Sequence, residues 1–411
     1  MKPKDIAISL CLMLLGGYLK ADESPQKPST INATSEAEQI KKIEAKLAGQ
    51  EMSGVLWTLI HCADESHVKS ALDAIGISRQ DGKEFSFSAT VRDAGGLAKY
   101  RQRVLGLLGN DNEIVRGFGA AWLSEVGDEG CYKALAQLLH NKTLPVQEKV
   151  FVGYDRAQAA AALGVLGARQ YAPDLATLLD DSNDSIRAGA ASGLASLQLV
   201  QYSDAIARLL DSDGDRSCMA AIHALARLRA TKFAPQIAKQ LQSLRDPSIS
   251  DCAIYALVAL EAKDQVADIG KLLTDEYQSG NAAIALALLG ATQYKTAIAS
   301  ILHNGSDLRR RDAALALAIL DAKEKIPEIA VLLNAPEAYV REAAAWSLVL
   351  LESRQHAPQA VTILTAHETP RFPWPEDCQR LVADKFDALR ERAMKSLQRL
   401  QKDAAQGTTS H

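Results

Sequence analysis

The sequence predicts an all-α fold, an α-solenoid of about eight stacked antiparallel helix pairs with helical caps at its N- and C-terminal ends. Two observations lead to this prediction. From about residue 97 a helical pattern recurs with a nearly constant period, and a second, shorter helical pattern precedes each copy. The composition is consistent with a folded protein, because 47% apolar and 23% charged residues are typical of folded chains and not of disordered ones.

The longer helix of each pair is identified by one recurring position, which we call the marker. Small or apolar residues follow three and four places after the marker and large apolar residues follow at seven and ten, which is the spacing of one helix face. After Arg187 these residues are Ala190, Ala191, Leu194 and Leu197. The markers, separated by 40, 31, 31, 32, 29, 31 and 31 residues, are Arg116, Arg156, Arg187, Cys218, Ser250, Ser279, Arg310 and Arg341.

The shorter helix of each pair often carries proline in its first turn, as at Pro173, Pro235 and Pro327. Proline is tolerated there because its missing N–H would have no partner in the helix. Asp, Asn, Ser and Gly separate the two helices, as helix N-caps and turns require. A single pair cannot bury its apolar face alone, so neighbouring pairs must stack.

The repeat resembles the HEAT-repeat superfamily in its short bacterial form, often called phycobilisome-lyase-like HEAT repeats. The resemblance covers residues 97–365 and rests on an apolar-Arg pair before an Ala-rich helix, with an acidic or amide residue ahead of it, such as Asp181 before Arg187. The apolar-Arg pairs are Val115-Arg116, Ile186-Arg187 and Val340-Arg341. Markers 218, 250 and 279 depart from the arginine of the family.

Segments outside the repeats have their own signals. Residues 1–21 predict a signal peptide, because Lys2 and Lys4 precede the fourteen-residue apolar run 6–19. We therefore expect an exported protein, periplasmic or secreted, with no stable membrane insertion after cleavage. The other predicted segments are a flexible linker at 22–35, an N-terminal helical cap with an irregular loop or hairpin at 36–96, a C-terminal capping helix at 366–402 and a disordered tail at 403–411.

The resemblance also implies a binding surface, because the second helix of each HEAT pair lines a concave groove. It selects the positions two before the marker and one, two, five and nine after it. Tyr, Trp, Met and Arg at these positions are typical of binding hot spots, whereas the alternative for each is packing between repeats. The candidate groove residues are Phe118, Tyr154, Met219, His223, Arg227, Tyr255, Tyr277, Arg311, Tyr339 and Trp346. The same positions also contain Glu125, Gln158, Ser192, Leu308, Leu315, Ile319 and Glu342.

Motifs of catalysis and metal binding are missing from the sequence. There is no HExxH, GxSxG or Walker motif, and the one His-Glu pair, His367-Glu368, lies outside the repeats. The cysteines are too widely spaced for a metal pair, although Cys218 and Cys252 could form a disulfide in an oxidising compartment. The net charge of −4 argues against nucleic acid as a partner.

We therefore predict an exported, non-catalytic scaffold that uses its groove to bind another protein or a peptide segment and needs no cofactor. Two alternatives stay open. One is a lyase that attaches a tetrapyrrole chromophore to a protein, by family analogy alone. The other is a neutralising partner of a toxin or an enzyme.

Overall fold

A computed structural model describes residues 105–106, 108–109, 113–126, 129–141, 153–243, 246–365 and 379–407. Every regular element within these ranges is helical, and none of them contains a strand. The predicted all-α fold of paired helices is thus confirmed. The predicted signal peptide, linker and N-terminal cap lie outside the described residues.

The chain divides into two compact units, residues 1–228 and 229–411. In the first unit, the marker helices pack successively side by side, and each shorter helix packs on the marker helix that follows it. We call the shorter helix of a pair the A helix and the marker helix the B helix. The B helices are α1 (Glu113–Val126), α3 (Tyr154–Val165), α5 (Asp184–Ser196) and α7 (Asp215–Arg227), and the A helices are α2 (Tyr132–Leu139), α4 (Ala172–Thr177) and α6 (Ser203–Ala207).

The second unit repeats this arrangement and adds two helices after the last pair. Its B helices are α9 (Pro247–Ala259), α11 (Ser279–Leu288), α13 (Asp307–Ile319) and α15 (Ala338–Leu350). Its A helices are α8 (Ala234–Lys239), α10 (Val266–Lys271), α12 (Lys295–Asn304) and α14 (Ile326–Val331). Helices α16 (Ala357–Thr365) and α17 (Ala383–Gly407) follow, and α17 extends into the segment that the sequence predicts as a disordered tail.

Most A helices are short because a 3₁₀ turn takes over at each end. Helix α4, for example, lies between the 3₁₀ turns Arg169–Tyr171 and Leu178–Asp180. Pro173 occupies the first turn of α4, as predicted. The tight turns use the end carbonyls that an α-helix would leave without partners, so the chain can reverse direction within a few residues.

Each B helix from α3 onward ends in a residue with left-handed backbone. The next N–H then bonds back to a carbonyl five residues earlier, as Ala322 N does to Leu317 O at 3.0 Å. This ending recurs with the period of the repeat. The left-handed residues, with φ between 51° and 83°, are Gly167, Gln198, Arg229, Glu261, Gly290, Asp321 and Glu352.

Glycine sets the spacing of the B helices in the first unit. A Cβ atom on Gly164 would lie 2.3 Å from the carbonyl oxygen of Gly193, and one on Gly193 would lie 2.4 Å from the carbonyl oxygen of Ala160. Any larger residue would push the backbones of α3 and α5 apart. In the part of the chain that the structure describes, no helix is both long and apolar enough to cross a bilayer.

Candidate functional site

The marker residues join consecutive repeats. Arg156 donates from Nε to Leu139 O at 2.9 Å and pairs with the Asp181 carboxylate at 2.8 Å. The sequence suggested Arg187 as the partner of Asp181, but Arg187 contacts the backbone there, donating to Asp181 O at 3.0 Å and Ser182 O at 3.1 Å. Arg156 therefore ties one repeat to the next through Asp181, whereas these two bonds of Arg187 lie within its own helix pair.

Two markers that are not arginine keep the bond that Arg156 makes to the A helix of its own pair. Cys218 Sγ lies 3.6 Å from Leu210 O, and Ser250 Oγ donates to Leu241 O at 2.9 Å. Each contact reaches the leucine carbonyl near the end of the preceding A helix. Cys218 and Cys252 are each present as a buried thiol within their own units, so the structure gives no support to the suggested disulfide.

Position five after the marker is interior, contrary to the groove prediction. All eight side chains there are at most 5% exposed. They are Ala121, Ala161, Ser192, His223, Tyr255, Ile284, Leu315 and Trp346. The expectation that Tyr255 and Trp346 face a partner is wrong, because large side chains at this phase are enclosed by the protein itself.

Two further groove candidates are also buried. Tyr154 is 7% exposed because its ring lies against Gly117 of α1, where an added Cβ would come within 2.3 Å of the ring. Met219 is 8% exposed. The side chain of Phe118 lies outside the described part of the structure. Tyr154 and Met219 are therefore packed inside the protein, which was the alternative to a place in the groove.

A polar network links two B helices of the second unit. The Tyr255 hydroxyl donates to Asn281 Oδ1 at 3.1 Å, and Asn281 Nδ2 donates to Asp251 Oδ1 at 2.6 Å. The burial of Tyr255 thus leaves its hydroxyl satisfied, which is what a buried polar group requires. This network could not be predicted from the sequence, because its members lie in different repeats.

His223 and Arg227 occupy one face of α7. Burial, aided by the charge of Arg227, lowers the pKa of His223 to about 4. Burial also lowers the pKa of Arg227, whose Nη1 donates to Ser196 Oγ at 3.2 Å. His223 is therefore a neutral interior residue at neutral pH, and only the half-buried Arg227 retains access to solvent.

Arg311 forms an ion pair with a buried carboxylate. Its Nε lies 2.7 Å from the carboxylate of Asp312, which is 6% exposed. Burial raises the pKa of Asp312, while the neighbouring guanidinium of Arg311 opposes this increase. Arg311 remains half-buried, so part of its side chain can still reach a partner.

The position two before the marker is buried at Tyr154 in the first unit but faces solvent at two places in the second unit. Tyr277 is 83% exposed and Leu308 is 54% exposed, and both lie two residues before a marker. Tyr339 occupies the same position one repeat later and is half-buried. We call Tyr277, Leu308 and Tyr339 the aromatic ridge.

The ridge residues stand where the B helices α11, α13 and α15 begin. Arg309 Nε donates to Ser279 Oγ at 2.8 Å, which places the starts of α11 and α13 side by side. The Asp275 carboxylate accepts from the backbone N–H groups of Tyr277 and Gln278, both at 2.8 Å, and so fixes the backbone under the exposed ring. The only other large exposed apolar side chains in the described ranges are Val200 and Val331.

Within the described ranges, no three His, Cys, Asp or Glu side chains are grouped so that they could hold a metal ion.

Comparisons with known proteins find similar solved structures at low sequence identity. The complex of CpcE and CpcF of phycocyanin lyase from Nostoc sp. PCC7120 is 21% identical, over 61% of this chain and 93% of that chain, with a TM-score of 0.37. An engineered protein is 20% identical, over 84% of this chain and 98% of its own, with a TM-score of 0.39. Kap95p, solved with RanGDP, is 13% identical, over 90% of this chain and 54% of its own, with a TM-score of 0.43.

No protein-family profile matches the sequence, and no curated protein matches it. At these TM-scores the likenesses carry no argument about activity or partners.

Proposed function

We propose that the protein is an exported, non-catalytic scaffold that binds a segment of another protein on its aromatic ridge. One observation carries the proposal. Two large apolar side chains, Tyr277 and Leu308, are exposed at the same position of adjacent repeats, although nearly every other large apolar side chain of the B helices is buried. Grouped exposed apolar side chains are typical of interaction surfaces, whereas isolated ones are common on any protein.

The surroundings of the ridge suit a protein segment. Tyrosine offers a large apolar ring with a polar tip at low entropic cost, which is why it is frequent in binding hot spots. Arg310 lies at the start of α13, 2.5 Å from Asp307, and both are partly exposed. Charges of both signs around an apolar centre would orient a partner without adding much affinity.

The test compares the ridge with an exposed apolar residue elsewhere. A photoreactive benzoylphenylalanine replaces Leu308 in one protein and Val331 in another, since Val331 is 70% exposed on the A helix α14. After irradiation in the native host, we expect a defined protein to be linked to position 308 and not to position 331.

The affinity of that protein is then measured for Tyr277→Ala/Leu308→Ala and for the control Val331→Ala. Truncating two hot-spot side chains weakens binding by roughly tenfold or more, and the control leaves it unchanged. Equal crosslinking at both positions, or equal affinity of both variants, would remove the basis for the ridge.

Export and the two alternatives have separate readouts. Fractionation of the native host should place the full chain outside the cytoplasm and a chain lacking residues 1–21 inside it. Visible absorbance of a bound chromophore in the purified protein would favour the lyase, and loss of a toxin's or enzyme's activity on binding would identify a neutralising partner.

A further inference from the structure

The C-terminal helix lies along the B helices of the second unit. The turn Gln379–Val382 contacts α9, and α17 contacts α15 and α16. It thus reaches beyond the last pair, further than the cap that the sequence predicts. Its buried stripe, at most 5% exposed and at helical spacing, consists of Val382, Phe386, Ala393, Leu397 and Leu400.

Three B helices of this unit end in an acidic residue with left-handed backbone. These residues, which we call the acidic edge, are Glu261, Asp321 and Glu352, with φ of 53°, 51° and 54°. The local structure disfavours them twice, because only glycine adopts this backbone freely and the helix dipole disfavours negative charge at a C-terminus. The B helices of the first unit are followed at this place by the uncharged Gly167 and Gln198 and, after α7, by the basic Arg229. Residues that conflict with their local structure are typical of functional positions.

Two of the three residues of the acidic edge, Glu261 and Glu352, pair with cations of α17, whereas Asp321 pairs with Lys323. Lys385 Nζ lies 3.3 Å from Glu261 Oε1, and Arg399 Nη1 lies 3.2 Å from Glu352 Oε1. Arg392 adds a hydrogen bond of 3.3 Å to Leu350 O at the end of α15. Residues 379–402 contain seven Lys or Arg against three Asp or Glu, so a basic helix lies on an acidic edge.

These ion pairs hold α17 only weakly. The side chains of Glu261 and Glu352 are 71% and 53% exposed, and exposed pairs contribute little to stability. Burial of the apolar stripe therefore contributes more than the ion pairs do, and a helix with the same stripe and the same cations can compete with α17 for this surface.

We propose that the acidic edge and the B-helix surface beside it form a binding site for a basic amphipathic helix of a partner protein, and that α17 occupies this site until that helix displaces it. The matching helix carries apolar residues in the spacing of the α17 stripe and cations about fourteen residues apart, as Lys385 and Arg399 are. The site is independent of the aromatic ridge, which lies at the opposite ends of the B helices.

The probe is a fluorescent synthetic peptide of residues 379–402, and the receptor is the full chain. In Lys385→Gln/Arg399→Gln the acidic edge is intact and α17 is held less tightly, so the site is vacant more often. We expect the apparent affinity for the probe to increase roughly two- to thirtyfold over wild type, the ratio that two exposed ion pairs correspond to. The matched control is Lys395→Gln, whose ion pair with Glu391 lies within α17. It should bind as wild type does.

A second variant separates release of α17 from recognition of the probe. Glu261→Gln/Glu352→Gln also loosens α17 but removes the charges that a basic helix requires. We expect faster amide exchange in α17 for both double variants, with tighter probe binding only where the acidic edge is intact. A probe with Phe386→Ser and Leu397→Ser should not bind.

The proposal is overturned if the probe binds both double variants equally, if it binds neither, or if the Lys385→Gln/Arg399→Gln chain dimerises, which would make a second copy the occupant. Tyr277→Ala/Leu308→Ala should bind the probe as wild type does, so failure at the ridge and failure at this site are distinguishable.

Discussion

The left-handed residues that follow the B helices lead to one prediction about stability. Substitution should destabilise the protein at Gly290 and stabilise it at Asp321, although the two positions are equivalent. Gly290 has a φ of 73°, and apart from its two neighbours in the chain no residue has an atom within 4 Å of where its Cβ would be. Replacing Gly290 by Ala therefore adds backbone strain and no clash. Asp321 has a φ of 51° one repeat later, so Asp321→Gly removes strain of the same kind.

The magnitudes follow from two opposing effects. Left-handed backbone costs a residue with a Cβ about 1–2 kcal/mol, while Gly→Ala restricts the unfolded chain by about 0.4–1 kcal/mol. The net loss for Gly290→Ala is about 1 kcal/mol. Asp321→Gly reverses this balance and also removes a negative charge from a helix C-terminus, which adds about 0.3–1 kcal/mol, so its gain is about 1–2 kcal/mol.

The assay is thermal unfolding of the full chain, followed by circular dichroism. A change of about 1 kcal/mol corresponds to about 2–4 °C in a unit of this size, down for Gly290→Ala and up for Asp321→Gly. The control Asp321→Ala removes the charge and keeps the strain, so it should gain less than half as much. Shifts in the same direction for Gly290→Ala and Asp321→Gly would refute the argument.

Three further predictions concern the first unit. Gly193→Ala should lower the free energy of unfolding by about 1–3 kcal/mol, because the new Cβ would meet the backbone of Ala160. Urea unfolding measures this loss. An unchanged midpoint would show that α3 and α5 can separate freely. Asp184→Ala should cost about 0.5–2 kcal/mol, because its carboxylate accepts from Ser217 N at 3.1 Å and so caps α7; Asp184→Asn, which keeps an acceptor, should recover most of the loss. His223 has a pKa of about 4 when folded and 6.5 as its ordinary value, so the unfolded chain binds its proton first. Stability should fall as the pH decreases from about 6.5 towards 4, by a few kcal/mol at most, and His223→Gln should flatten that part of the profile.

The fold could be predicted because its signal is periodic. The marker and the apolar residues after it recur in every repeat, so a different residue at a single marker, such as Cys218 or Ser250, does not obscure the pattern. The left-handed helix ends were missed because only Gly167 and Gly290 show the residue type that such an ending favours. At Gln198 and Glu352 the tertiary structure imposes the conformation against local preference.

The binding surface could be predicted only in part. Helical phase places Tyr255, Tyr277 and Trp346 on related faces, but it does not show how much of each face the neighbouring elements cover. Tyr277, before the start of α11, remains open, whereas Trp346 near the middle of α15 is enclosed. The role of α17 could not be inferred, because its contacts with Glu261 join residues 124 positions apart in the sequence.

The carboxylate of Asp184 accepts hydrogen bonds from Arg216 N and Ser217 N, so the signal that starts α7 is supplied by the repeat before it. Glu113 does the same for the segment ahead of α3, accepting from Gly153 N at 3.2 Å. This dependence has a direction, because the upstream repeat must be folded before its carboxylate can cap the start of the downstream helix. Order should therefore spread from the amino end during synthesis, and a truncation that removes an upstream repeat should harm its successor more than the reverse deletion harms its predecessor.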